Sequence, residues 1–142
     1  MMYGGNMKKV YKSDLYHHEI KQCKCDCGQD FQDDDLEQSI FNMMEELELI
    51  TDKKIALYIT SWNRCESNNK RAGGSHTSLH MSGKAVDFVT VSLSNNVEQI
   101  IDADIVAETL NKYEPEVNEI IIYNGNRLHF GISDKKVRGD KR

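Results

Sequence analysis

The apolar positions of the chain change spacing several times, and each change predicts an element. From Asp33 onward, Leu36, Ile40, Met43, Met44 and Leu47 recur every three or four residues, the stripe of an amphipathic helix. Asp33 to Asp35 supply its N-cap and favourable charge in its first turn. After a turn at Thr51 to Lys54, Ile55, Leu57 and Ile59 alternate with Ala56, Tyr58 and Thr60, which predicts a strand. Ser61 to Ser75 is polar and glycine-bearing, a loop, and Ala85 to Val91 reads as a second strand entered through Gly83. Asp102 to Tyr113 fits a second helix with Ile105, Val106 and Leu110 inward and Pro115 ending it. Ile120 to Tyr123, the turn Asn124-Gly125-Asn126, and Arg127 to Ile132 form a β-hairpin. Helix, strands, helix and hairpin in that order predict an α+β fold, a small, mostly antiparallel sheet packed with helices.

The hairpin's register follows from its apolar residues. With a three-residue loop, Ile121 pairs with His129; Ile120, Ile122, Leu128, Phe130 and Ile132 then share one face, while Glu119, Tyr123 and His129 share the other. A slip of one residue would invert these faces. Outside the patterned region, residues 1–12 read as frayed and 13–30 as an irregular arm. Residues 13–134 form the domain, and 135–142 a solvated basic tail.

Composition narrows the picture. A chain of 142 residues suits one core, and 39% hydrophobic with 29% charged residues is globular composition. No run of about 18 apolar residues exists, so no membrane insertion is expected. The net charge of -5 argues against a nucleic-acid partner. Lys8 and Lys9 are followed by no apolar stretch, so the protein is expected to be cytoplasmic as synthesised and to meet any outside substrate only after release by something else. It is expected to work as a monomer. Cys23, Cys25 and Cys27 alternate, with Cys65 far away; a disulfide to Cys65, a small Cys-ligated metal and reduced thiols all remain open.

The chemistry concentrates between Ser75 and Phe88. Asp87 sits in a strand among Ala85, Val86, Phe88 and Val89, where an ionised carboxylate is costly unless paired. A lysine or arginine partner is one answer. Another begins with His80, which Gly83 allows to bend back toward Asp87. His129 points away from the apolar face of its own strand. His80, Asp87 and His129 would give zinc three protein ligands with an open fourth position, the arrangement of a catalytic ion. HExxH is absent.

Ser78-Leu79-His80-x-x-Gly83-x-Ala85-x-Asp87 resembles the S-x-H-x-x-G-x-A-x-D signature of the zinc D-alanyl-D-alanine carboxypeptidases. That family includes vancomycin-resistance dipeptidases and phage L-alanyl-D-glutamate endolysins; the hedgehog signalling domain shares its fold. Ile59 to Cys65 followed by Asn68 and Asn69 is similar to the family's strand-and-loop, Ala72-Gly73-Gly74 to its "VGG" step, and Ile122-Tyr123 leading to Leu128-His129 to its final hairpin. Cys25-x-Cys27-Gly28 resembles an N-terminal C-x-C-G of some members.

The resemblance implies zinc ligation by His80, Asp87 and His129. It implies that Arg64 holds the substrate's carboxylate or carbonyl oxygen, and that Ser78 contacts substrate or supports the site. On residues alone, Arg64 could instead pair with Glu66 or Asp87, and Ser78 could be a turn hydroxyl. The implied activity is zinc-assisted hydrolysis of an amide in peptidoglycan stem peptides, by a D,D-carboxypeptidase or an endopeptidase. Several family members place an acid three or about six residues before the last histidine; here Asn126 and Tyr123 stand there, with Asn124 between, so the resemblance is closer to a branch with no obvious acid at those positions. Asparagine cannot accept the proton. The hairpin register offers Glu119 as the candidate general base, although two residues along a strand, about 6.6 Å, stretches its reach; His76 is a second candidate. The competing function is a non-catalytic zinc-containing binding module of the same fold, and a cysteine-based redox protein is a third.

Overall fold

A computed structural model describes residues 9–17, 20–21, 33–75, 78–113 and 118–142. Its strands are β1 (Lys9–Val10), β2 (Lys54–Ser61), β3 (Ala85–Ser94), β4 (Val97–Ile100), β5 (Asn118–Ile122), β6 (Arg127–Ile132) and β7 (Val137–Asp140). Its helices are α1 (Asp34–Thr51), α2 (Glu66–Arg71) and α3 (Ala103–Tyr113). The strands form one sheet in the order β1-β2-β3-β6-β5-β7, with β4 pairing the far end of β3.

The α+β expectation holds, but the sheet is mixed. β5 and β7 run parallel, with Glu119 opposite Val137 and Ile122 opposite Asp140; all other pairs are antiparallel. The last eight residues are therefore not simply solvated. Val137 to Asp140 extend the sheet, and the Lys141 N–H donates to the Ile122 carbonyl at 2.7 Å. No apolar alternation announces this strand; backbone pairing and the Arg138 side chain, which donates to the Asn118 carbonyl at 3.2 Å, hold it to β5.

The helical stripe of α1 buries Leu36, Ile40, Met43, Met44 and Leu47 against Ile55, Leu57, Phe88, Leu128 and Phe130 of the sheet. Asp33 caps the helix, accepting from the Leu36 N–H at 3.0 Å. The buried face of α3 is Ala103, Val106 and Leu110. Ile105, expected inward, is 46% exposed, because it lies about 100° around the helix from Val106 and further still from Ala103. Pro115 lies outside the described residues.

Two local elements differ from the sequence reading. The polar loop contains the short helix α2, capped by the Cys65 Sγ, which accepts from Asn68 N–H. β3 continues to Ser94 and turns back into β4 through Asn95 and Asn96, both at positive φ, as a tight hairpin turn requires. Cys23, Cys25 and Cys27 fall outside the described residues, and with them the readings built on them.

The helices cover the face of β3 that carries Val86 and Phe88. Strand alternation sends Asp87 to the opposite face. β5 and β6 pair in the three-residue-loop register, Ile121 opposite His129, so His129 and Glu119 also leave the helix-covered face. Burying Ile120, Ile122, Leu128 and Phe130, with Ile132 packed partly buried against them, selects this register.

Candidate metal centre

Asp87 and His129 are direct cross-strand partners in β3 and β6, which brings their side chains together on one face. His80 arrives from a 3-10 turn, Leu79–Ser82, that precedes β3. The Ser78 Oγ opens that turn, accepting from His80 N–H at 3.3 Å, and Gly83 closes it at φ 70°. This positive φ is why a glycine stands there. Gly131 performs a second steric service: a Cβ on it would lie 2.9 Å from Leu79 Cδ1, so its absence lets the turn carrying His80 settle against β6.

The three side chains converge. Asp87 Oδ1 lies 2.7 Å from His129 Nδ1 and 3.3 Å from His80 Nε2. One ligand-capable atom from each residue falls within 4.8 Å of the others, and all three residues are buried. His80 Nδ1 donates to the Trp62 carbonyl at 2.7 Å, which turns Nε2 toward Asp87. Fixing the remote ring nitrogen with a carbonyl is how protein metal sites orient a histidine. His129 is held likewise, its Nε2 donating to Glu119 Oε1 at 2.9 Å while Nδ1 faces Asp87.

Electrostatics point the same way. Burial alone would push the Asp87 carboxyl up, but hydrogen bonds from His129 and His80 outweigh it and hold the group below the usual carboxylate range. Burial likewise opposes charge on His129, yet the carboxylates of Asp87 and Glu119 push its pKa up to about 9. The hydrogen bond from His129 lowers that of Glu119. A buried centre that keeps its carboxylate ionised and draws positive charge between two acids is suited to a cation. Two imidazoles and a carboxylate are ligands that zinc accepts. The residues present fit that ion.

The groove around the cluster, about 470 Å³, is lined by Arg64, Ser78, Glu119, Tyr123 and Arg127 together with the three buried residues. Arg64 is held on every side: Nε donates to Ser61 Oγ at 2.9 Å, one terminal nitrogen donates to Asn69 Oδ1 at 3.3 Å, and the other lies 3.6 Å from Asp87 Oδ2. Ser61 reaches Arg64 because β2 carries a bulge after Ile59; the register shifts there, and Ser61, not Thr60, stands opposite Asp87. Gly74 explains the double glycine. A Cβ there would lie 2.1 Å from Asn69 Oδ1 and 3.0 Å from an Arg64 terminal nitrogen, so only glycine leaves room for both.

Glu119 reaches the centre despite its offset. It stands opposite Gly131, two residues along from the Ile121–His129 pair on the same face, and its carboxylate leans diagonally onto His129. Asn126, at φ 58°, turns its side chain away from the groove and accepts from the Ala103 N–H at 3.0 Å, capping α3. His76 lies outside the described residues.

Sequence reasoning passed over Ser61, the Trp62 carbonyl and Arg127. Arg127 was within reach of the hairpin register, being two residues before His129 on the same face. Ser61 had no signal, since a bulge leaves none in the residue pattern.

A family model described as Peptidase M15 matches residues 13–115, a range that holds Arg64, Ser78, His80 and Asp87 and ends before Glu119 and His129. The comparison with curated proteins finds no match. Signature, fold and a buried His-Asp-His cluster agree with that family model: the chain belongs to the peptidase M15 family, that of the zinc D-alanyl-D-alanine carboxypeptidases and endolysins.

Proposed function

We propose that the protein is a zinc-dependent peptidase that hydrolyses an amide bond of peptidoglycan stem peptides, as a D,D-carboxypeptidase or an endopeptidase. The observation that carries this reading is the convergence of His80, Asp87 and His129 at the floor of a groove walled by Arg64 and Glu119. A zinc ion held by those three residues would supply Lewis acidity toward the scissile carbonyl and the attacking water.

The remaining work falls to the chain's own groups. Arg64, locked by Ser61 and Asn69, offers a fixed planar cation to a carboxylate or carbonyl oxygen of the peptide. Glu119 is the acid of the groove besides Asp87 among the described residues. Its Oε1 is engaged by His129, and the second oxygen takes the proton of the attacking water and returns it to the departing amine. The same carboxylate steadies the His129 ring. Ser78 supports the turn that carries His80.

Metal analysis of the purified protein, run beside digestion of purified peptidoglycan with mass spectrometry of the fragments, tests the reading. One zinc per chain with new peptide termini supports it and names the bond. Stoichiometric zinc without cleavage supports the non-catalytic binding module instead.

A further inference from the structure

His80 is held by the segment that follows β2, and that segment is itself held from the N-terminal arm. The peptide unit joining Trp62 to Asn63 is the link. Its carbonyl accepts from His80 Nδ1 at 2.7 Å, and its N–H donates to the Lys21 carbonyl at 3.1 Å. A trans peptide is planar and points these two groups in opposite directions, so turning one turns the other. The next N–H ties the two segments together, with Arg64 N–H donating to the backbone carbonyl of His80 at 3.0 Å.

Asn63 strengthens the far side of the link. Its side-chain amide donates to the same Lys21 carbonyl at 2.6 Å, so one oxygen accepts from both N–H groups of one residue. Asn63 is buried, and so is Lys21, whose ammonium is paired with Glu37 in the first turn of α1 and lies 5.8 Å from the Trp62 ring. The Lys21 carbonyl is thereby anchored to the helix layer. A peptide whose N–H is hydrogen-bonded has a more polarised carbonyl, which grips a donor better. At a metal site the partner of the remote ring nitrogen sets the orientation and basicity of the ligand, and disturbing it costs about ten- to a hundredfold in metal affinity. Lys21, Trp62 and Asn63 are not among the described residues that line the groove.

We propose that Asn63 is a positioning residue of the metal centre: by clamping the Lys21 carbonyl it fixes the Trp62–Asn63 peptide that orients His80, and so sets zinc affinity from the arm. The proposal rests on the zinc reading of the site and adds to it a residue that touches neither metal nor substrate.

Zinc affinity of the full chain, measured by competition with a chromophoric chelator, tests it on three variants. Asn63→Leu keeps the bulk of the side chain and loses its donor, whereas Asn63→Ala loses both. Tyr58→Phe, which gives up a hydrogen bond to Glu98 outside the groove, is the control for lost stability. Both Asn63 variants should bind zinc about tenfold more weakly than the wild type, and Tyr58→Phe as tightly as the wild type. A second readout is the His80 Nδ1 proton, followed by NMR in isotope-labelled protein at saturating zinc. It should exchange slowly with solvent in the wild type and in Tyr58→Phe, and faster in both Asn63 variants, whose spectra also show that they are folded.

Wild-type affinity and slow exchange in both Asn63 variants overturn the proposal and leave the zinc reading standing. Affinity restored by leucine but not by alanine also overturns it, because bulk and not the hydrogen bond would then matter. Equal weakening in Tyr58→Phe overturns it in favour of general destabilisation. No zinc binding by the wild type overturns the zinc reading, and the proposal with it.

Discussion

The Nδ1 of His80 donates to the backbone carbonyl of Trp62 at 2.7 Å, so a main-chain atom next to β2 sets the tautomer of a side chain that precedes β3. The same segment is tied to the N-terminal arm: the Lys21 carbonyl accepts from both the backbone and side-chain N–H groups of Asn63, at 3.1 and 2.6 Å. Lys21 is fully buried, its ammonium paired with Glu37 of α1 and 5.8 Å from the Trp62 ring. A chain of contacts thus runs from the first turn of α1 through the arm to a ligand of the proposed metal.

His80→Ala and Asp87→Ala should each abolish stoichiometric zinc, measured by metal analysis of purified protein after dialysis. Each removes one of the three proposed protein ligands, and Asp87 also supplies negative charge to the centre. Full metal retention by both variants would refute the ligand assignment.

Glu119→Gln should keep zinc while kcat falls on the order of a hundredfold or more, the usual worth of a positioned general base. Glutamine preserves an oxygen to accept from His129 Nε2, so the ring stays oriented; what it loses is the capacity to take a proton. Unchanged kcat at full metal occupancy would remove Glu119 from the mechanism.

Gly74→Ala should cost about 1–3 kcal/mol, the usual range for overpacking a close site. The new methyl meets Asn69 and, through it, Arg64, so KM for a carboxylate-bearing peptide should rise as well. Urea unfolding and steady-state kinetics on the same preparation measure both. Normal stability together with a normal KM would show that the close approach is unimportant.

Glu37→Ala and Lys21→Met should differ although they break the same ion pair. Losing Glu37 strands a buried ammonium, at about 3 kcal/mol or more, whereas losing Lys21 leaves a carboxylate that still reaches water. Denaturant midpoints for the two variants should therefore separate, with Glu37→Ala the less stable. Equal midpoints, or the reverse order, would contradict the burial of Lys21.

Tyr58 supplies a prediction in alkali. Burial and the hydrogen bond to Glu98 push its phenol up to about 12, above the value near 10 of an unfolded tyrosine. Between those values the folded chain keeps a proton that the unfolded chain gives up. The stability this contributes is intact below pH 10 and is lost as pH rises toward 12. Ultraviolet difference titration should show one tyrosine ionising late. Tyr58→Phe should remove that phase and flatten the alkaline loss of stability.

Much of the fold was legible because it depends on repeated burial. The stripe of α1, the alternation of β2 and β3 and the apolar set of the β5–β6 hairpin each commit several residues to one face, and no other register buries them all. The same logic placed His129 and Glu119 away from the helices. It failed for Ile105, where adjacent apolar residues on a helix could not all face inward. It also missed β7, which is held to β5 by backbone pairing and by the Arg138 side chain on the Asn118 carbonyl.

The sequence by itself determined the α+β class, the hairpin register and the candidate metal set of His80, Asp87 and His129. These follow from periodicity, from the cost of an unpaired buried carboxylate and from a signature resembling a known family. Tertiary structure alone decided how those residues are tuned. The bulge that turns Ser61 onto Arg64, the Trp62 carbonyl that holds His80, the gap at Gly131 that admits the Leu79 turn, and the strand that carries Lys141 to Tyr123 all join residues from separate elements. None leaves a local pattern, because each depends on where two strands or a strand and a turn meet in space.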